Sequence, residues 1–264
     1  MRFAFAQEER KVVIVLPAYN AIRTLKPTID EIPAHCYDEI ILVDDASRDG
    51  TAEYARTLVN VVIQHPTNRG YGGNQKTCYQ QALARGADIV VMVHPDNQYN
   101  PALIPNMVLP IYLGQADVVL ASRFIRDPIH GGARAGGMPL LKFVVNRALT
   151  VVQNRLMGTH FSEFHTGYRA FSRKALASIP FLGLSDDYLF DNQILALLAA
   201  RRCRFQQIGV ETRYFKEAST IGLLRGSRYA WGCLMVGVRY FLHQRRLLTW
   251  PLLAADKATA DDRR

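Results

Sequence analysis

Five short apolar runs, each stopped by polar or turn-forming residues and separated by stretches of helical spacing, set the tightest limit on how this chain can fold. The runs are Val12 to Leu16, Ile40 to Val43, Val61 to Ile63, Ile89 to Val93 and Val118 to Leu120. Each is continuous rather than alternating, which marks a strand buried on both faces. The intervening segments read as helices. Ile22, Leu25, Ile29 and Ile32 share one face, a helix to about Val59 follows the turn from Ser47 to Thr51, Gly70, Gly72 and Gly73 lead into a helix through Ala84, and Pro101 starts another over 101–113. Strand and helix in alternation predict an α/β fold, a mostly parallel sheet sandwiched by helices. Such sheets bind ligands beyond the carboxyl ends of their strands. Three polar segments then fall on one rim: Pro17-Ala18-Tyr19-Asn20, Asp44-Asp45 and Asp96-Asn97-Gln98.

The second half is less regular. A helix over 139–157, a short strand from Tyr168 to Phe171, a helix over 187–200 and a strand from Phe205 to Val210 are expected. From Leu224 to Leu247 one helical face carries Arg225, Arg228, Arg239, His243 and Arg246, and another carries Trp231, Leu234, Met235, Val238 and Phe241. Such a helix either lies on a membrane surface or packs its Trp231 face on the sheet.

Charge follows the same division. Residues 1–118 hold 10 Lys and Arg against 13 Asp and Glu, a net of −3, whereas residues 119–264 hold 22 against 10, a net of +12. Of the 32 basic residues 25 are Arg, which points to phosphate groups, a membrane surface or nucleic acid as partners. Few aromatics interleave with the arginines, only Tyr229 and Tyr240, which argues against RNA. Four cysteines far apart (Cys36, Cys78, Cys203, Cys233) lack metal-ligand spacing and read as reduced thiols of a cytoplasmic protein. The start, MRFAFAQEERK, lacks the apolar core of a signal peptide, and no apolar run is long enough to span a bilayer.

The rim residues carry chemistry of recognisable kinds. Asp44 and Asp45 end a buried strand, where a carboxylate either caps the following turn or accepts hydrogen bonds from a nucleoside. Asp96 and Gln98, two apart in extended backbone, would point the same way and together suit Mg²⁺ or Mn²⁺ with positions left for phosphate oxygens. The competing reading is an Asx turn before Pro101. His94 is either a third ligand or a structural hydrogen-bonding residue. The glycines of Asn68-Arg69-Gly70-Tyr71-Gly72-Gly73-Asn74 fit neither a dinucleotide fingerprint nor a P-loop, leaving a tight turn or a phosphate-facing loop. Asp187 and Asp191, one helical turn apart, are the candidates for a catalytic base, with Asp186 as the helix cap.

In this order the segments resemble the family 2 glycosyltransferases of GT-A fold, especially the dolichyl- or polyprenyl-phosphate sugar transferases. The resemblance rests on Leu16-Pro17-Ala18-Tyr19-Asn20, Val43-Asp44-Asp45-Ala46-Ser47-Arg48-Asp49-Gly50-Thr51, Asn68-Arg69-Gly70-Tyr71-Gly72-Gly73, Asp96-Asn97-Gln98, Ala121-Ser122-Arg123-Phe124 and Thr166-Gly167-Tyr168-Arg169. It implies a glycosyltransferase domain over 1–220, with a nucleotide and metal half at 11–118 and an acceptor half at 119–220. A basic helical segment at 221–254 and a flexible tail at 255–264 follow. It further implies a nucleoside site at Pro17, Tyr19, Val43 and Asp45, a metal held by Asp96 and Gln98, Arg123 near the diphosphate or the acceptor phosphate, and Arg213 in a loop closing over the donor. Three positions depart from the family pattern: His94 stands for the first carboxylate of the metal element, Ala21 for a common Glu, and the closing loop, with Lys216, Ser219 and Thr220, has no clear counterpart of the usual Lys.

The expected reaction is inverting sugar transfer from a nucleoside-diphosphate sugar to a polyprenyl phosphate or a cell-envelope glycan precursor. Arg123, Arg134, Lys142 and Arg147 are expected to attract the acceptor phosphate, on a cytoplasmic protein that is peripheral to the membrane. Nucleotidyl transfer to make a sugar nucleotide is the runner-up, though it would favour a Gly-rich basic loop after the first strand. A non-catalytic nucleotide-sugar-binding protein is the third reading.

Overall fold

The computed structural model describes residues 9–125, 133, 137–213 and 223–254. A seven-stranded sheet runs through its centre: β1 (Val12–Ala18), β2 (Glu39–Asp44), β3 (Val61–Gln64), β4 (Ile89–Met92), β5 (Val118–Ser122), β6 (Arg169–Ser172) and β7 (Phe205–Gly209). Their order in the sheet is β3-β2-β1-β4-β6-β5-β7. Only β6 runs against its neighbours, pairing antiparallel with both β4 and β5. The carboxyl ends of β1, β2, β4 and β5 therefore share a rim with the amino end of β6, where Arg169 stands opposite Met92 and Leu120.

Alternate strand residues feed two cores, as the strand period requires. Val13, Val15, Ile41 and Val43 face one side, covered by α3 (Gly70–Ala84), α7 (Phe190–Ala200) and α8 (Leu223–Gln244). Ile14, Leu16, Leu42 and Val91 face the other, covered by α1 (Ile22–Asp30), α2 (Thr51–Ala55) and α4 (Ile104–Tyr112). The remaining helices are α5 (Leu140–Met157), α6 (Arg173–Ala177) and α9 (Pro251–Ala254). α5 packs beside α8, where Gln153 Nε2 donates to the Cys233 carbonyl at 3.3 Å and the Gly237 backbone approaches Leu156. All four cysteines are free, three of them buried.

Several boundaries move for physical reasons. Gly70, Gly72 and Gly73 are not a loop before the helix but its first turn. α2 stops at Ala55, well short of Val59, and α7 begins at Phe190 rather than 187. On α8, Trp231 does not pack on the sheet: it is 65% exposed, and the buried face is Cys233, Val236 and Tyr240. Among the described residues no helix is long and apolar enough to cross a membrane. The expected tail at 255–264, together with Arg134, Lys216, Ser219 and Thr220 and the side chain of Arg225, lies outside the described residues.

Candidate active site

The loops after β1 and β2 hold each other by side-chain bonds to backbone. Asn20 takes a left-handed φ of 50° and its side chain accepts from the Arg48 amide at 3.0 Å, while the Ser47 hydroxyl accepts from the Asn20 amide at 2.8 Å. Thr51 and Asp49 accept from the amides of Ala21 and Ile22, which begin α1. These bonds satisfy amides that a helix start leaves without intrahelical partners. Asn74 of α3 donates to the carbonyls of both Ala18 and Val43, pinning the ends of β1 and β2 together. Pro17 and Val43 are thereby fixed as buried strand residues, and Tyr19 is left 54% exposed at the rim.

The two adjacent carboxylates divide their work. Asp44 Oδ2 accepts from the Ser47 amide at 3.0 Å, the turn-capping role, and its buried Oδ1 has no hydrogen-bond partner among the described residues. Asp45 is buried too and accepts from the amides of Arg69 (2.8 Å) and Gly70 (3.0 Å) and from His65 Nδ1 at 2.7 Å. Asp45 therefore caps the start of α3, and Asp45 Oδ2, which accepts from Gly70, keeps capacity for one further donor.

The amides of the glycine-rich turn are likewise used by the chain itself. Gly72 and Gly73 donate to the Asp186 carbonyl at 2.7 and 3.2 Å, so this turn is no phosphate cradle. Its glycines serve close packing: a Cβ at Gly72 would lie 2.8 Å from Phe190 Cβ and 2.9 Å from the Asp187 carbonyl. Gly72→Ala is expected to lower stability by about 2 kcal/mol or more, as overpacking of a tight contact does. A thermal melt checks it.

Asp96 and Gln98 lie in a turn, not in extended backbone. Asn97 between them has a left-handed φ of 55°, so the two-residue spacing does not by itself align their side chains. Asp96 Oδ1 accepts from the Gln98 amide at 3.0 Å, the Asx turn foreseen as the alternative. Partial burial lifts the Asp96 carboxyl above its ordinary range, opposed by His94 and by the Gln98 amide. Arg213 closes the outer side of this turn, donating to Glu31 at 2.7 Å and to the Asn97 side chain at 3.0 Å, while its amide donates to the Gln98 carbonyl. Arg213, expected in a loop closing over the donor, is thus already paired with Glu31 and with this turn.

Among the described residues no group of three or more His, Cys, Asp or Glu is placed to hold a metal ion. One carboxylate and one amide do suit a hard cation that arrives with a diphosphate and takes its remaining ligands from that ligand and water. His94 is engaged elsewhere. Tyr71 gives its single proton to Asp191 Oδ2 at 2.6 Å, so at the 3.0 Å contact between His94 Nε2 and the Tyr71 hydroxyl the histidine must donate. The two rings stack with centroids 5.4 Å apart, and Gly167 leaves room for them.

Asp191 sits at the centre of a buried network. Besides Tyr71 it accepts from Gln75 at 3.2 Å and faces Arg169 Nη1 at 3.5 Å. Tyr71 and Gln75 reach it from one stripe of α3 at a spacing of four, and Tyr79, four further along, donates its hydroxyl to Gln75 at 2.9 Å. Burial, then the Asp191 charge, holds the Tyr71 hydroxyl well above its ordinary pKa. Asp187 is not with Asp191 on a helical face. It lies in the exposed turn before α7, accepting from the Leu189 amide at 2.9 Å and the Ser185 hydroxyl in an Asx-type turn, and the expected side-chain cap of this helix by Asp186 is not made, the N-cap position being Leu189. Asp186 pairs with Lys76 at 2.7 Å.

Arg123 also departs from expectation. It is buried, and its Nε donates to the fully buried Glu163 at 2.8 Å, so its charge is neutralised within the fold. Among the described residues the exposed cations on its side are Lys142 and Arg147 of α5. Loss of hydration, then the Arg123 charge, holds the Lys142 ammonium below its ordinary pKa. Arg147 lies 5.4 Å over the Phe124 ring, and the Phe124–Phe143 contact brings this end of α5 to the rim.

His165, next along from this pair, is enclosed against the Tyr229 hydroxyl at 3.1 Å, and burial pushes its pKa down to about 3. The unfolded chain binds a proton there below about 6.5, whereas the folded chain does not. Stability should therefore fall as pH drops from 6.5 toward 3, by up to about 1.4 kcal/mol per pH unit. Urea melts at pH 7 and pH 5 check this, with the slope reduced in His165→Gln.

A glycosyltransferase family model, "Glycosyl transferase family 2", matches residues 13–179. The chain belongs to that family. It is 26% identical over 250 residues to the UDP-N-acetylglucosamine–dolichyl-phosphate N-acetylglucosaminyltransferase of Methanococcus voltae, covering 88% of this chain and 94% of that one. It is 28% identical over 178 residues to the undecaprenyl-phosphate mannosyltransferase of Micrococcus luteus, covering 64% and 69%. Among solved structures, glucosyl-3-phosphoglycerate synthase from Mycobacterium tuberculosis with Mn²⁺, uridine diphosphate and glucosyl-3-phosphoglycerate matches with a TM-score of 0.65, at 19% identity, over 91% of this chain and 81% of that one. The fold is the GT-A type of this glycosyltransferase, and the protein is a glycosyltransferase.

Proposed function

We propose that this glycosyltransferase moves a sugar, with inversion, from a nucleoside-diphosphate sugar to a polyprenyl phosphate. The observation that carries the acceptor class is the end-to-end similarity to a dolichyl-phosphate sugar transferase. In the step, an acceptor phosphate oxygen attacks the anomeric carbon as the bond to the diphosphate breaks. The diphosphate leaves with the electron pair, and the acceptor becomes a phosphodiester.

Residues 11–118 supply the donor half. Tyr19 lies exposed over the nucleoside position, Pro17 and Val43 form its floor, and Asp45 offers its remaining acceptor capacity to the base. Asp96 and Gln98 are the residues that would hold Mg²⁺ or Mn²⁺, and such a cation would offset the charge developing on the leaving diphosphate. The acceptor half lies within 119–220. There Lys142 and Arg147 attract the lipid phosphate, taking the place expected of Arg123, whose charge is taken up by Glu163.

An acceptor that is already an anion has no hydroxyl proton to lose. The placement of Asp191 agrees with this, because its carboxylate is committed to Tyr71, Gln75 and Arg169. It orients the reacting groups through Tyr71, and His94 ties the same hydroxyl to the metal turn. Calorimetric titration with uridine and guanosine diphosphates, with and without Mn²⁺, tests the donor half. Metal-dependent binding of at least one is expected, and no binding of either would overturn the nucleotide assignment.

A further inference from the structure

Among the described residues the largest run of exposed apolar side chains lies on α5, which contributes no residue to the proposed donor site. Leu140, Leu141, Val144, Val145, Val151 and Val152 are all exposed, Leu141 to 71%. Their spacing of three and four places them on one outward stripe, opposite the buried Thr150, Gln153 and Met157. A helix with apolar residues on its solvent side is an interaction surface, since monomeric proteins rarely expose a contiguous patch of this kind. Trp231, on the neighbouring α8, is exposed as well.

The charges around the stripe select its partner. α5 carries Lys142, Arg147 and Arg155, and α8 carries Arg228 and Arg239, with no Asp or Glu in the sequence of either helix. A second copy docked through this face would set cation against cation with no carboxylate on these helices to offset them. An anionic bilayer meets both requirements, taking the apolar side chains at the acyl boundary and the Lys and Arg among its headgroups. We infer that α5, with Trp231 of α8 beside it, is the surface by which this protein docks on an anionic membrane. This differs from the sequence-level reading, in which the helix over 224–247 alone was the contact. The inference does not depend on the acceptor, because the surface is defined without it.

The test uses the full chain and phosphatidylglycerol vesicles that contain no polyprenyl phosphate. The protein should co-sediment with these vesicles but about tenfold less with phosphatidylcholine alone, as binding that draws on anionic lipid requires. Trp231 and Trp250 are the only two tryptophans, and Trp250 is buried, so vesicle binding should shift tryptophan emission to the blue, and Trp231→Phe should remove the shift. The double variant Leu141→Glu with Val152→Glu alters exposed positions and should keep the melting temperature while losing at least about tenfold in vesicle binding. Absence of binding, or binding unaltered in that variant, would overturn the inference. A dimer in solution that the same variant dissociates would overturn it too, by assigning the face to a second copy. Nucleoside diphosphate binding measured on the same samples separates this result from the donor assignment.

Discussion

Asp96→Ala is expected to reduce sugar transfer by about a thousandfold, comparable to the loss of a group that stabilises charge in a transition state. Asn97 in the left-handed region folds the chain back after β4, and the Gln98 amide anchors one carboxylate oxygen. No Lys or Arg pairs with Asp96 among the described residues, although partial burial makes its charge costly. A carboxylate kept in that position is suited to a cation brought by a ligand. Since the hydrogen bond it makes among the described residues holds a surface turn, the variant should melt within a few degrees of the parent. Loss of transfer with the fold retained, and with weakened Mn²⁺ dependence of nucleotide binding, is the expected pattern. Full transfer by the variant would remove the metal assignment.

Arg169→Ala is expected to destabilise the protein by about 3–5 kcal/mol, the range for removing one partner of a buried ion pair. Arg169 is 1% exposed, its Nη1 donates to the Asp191 carbonyl at 2.7 Å, and its Nη2 donates to the Phe164 carbonyl at 3.0 Å. Its position at the amino end of β6 lets it reach α7 from between β4 and β5. Without it, Asp191 remains in the core with only Tyr71 and Gln75, and two carbonyls lose their donor. A fall in melting temperature on the order of 10 °C follows for a chain of this size. Asp191→Asn with Arg169 intact should also destabilise the protein, because it leaves the buried Arg169 guanidinium without its carboxylate, although both carbonyls that accept from Arg169 remain. Equal melting temperatures for parent and Arg169→Ala would contradict the network.

The sheet was legible because its strands are uninterrupted apolar runs, and their polar stops mark the rim. What periodicity leaves open is direction: the four residues of β6 give no sign that they run against their neighbours. The site was less legible, because polar side chains find partners that only tertiary structure supplies. Arg123 and Arg169 look alike in sequence, as arginines near strand ends. One meets Glu163, forty residues away, and the other Asp191. Tyr71 and Gln75 pass for helix surface until α7 packs over them, though their spacing of four with Tyr79 is a signal available beforehand. Gly72 read as loop chemistry because a glycine needed for close packing is indistinguishable from one needed for a turn. On α8, both faces carry apolar residues, so amphipathicity could not decide which one packs inward.

The central claim is transfer from a nucleotide sugar to a lipid phosphate. The most direct measurement incubates the full chain with labelled UDP-linked and GDP-linked sugars, Mn²⁺ and a polyprenyl phosphate, then counts label extracted into organic solvent. Lipid-linked sugar formed from at least one donor, and lost on omitting the metal or the lipid, is the predicted result. Label transferred only to water or to a non-lipid acceptor, with the lipid phosphate inert, would contradict it.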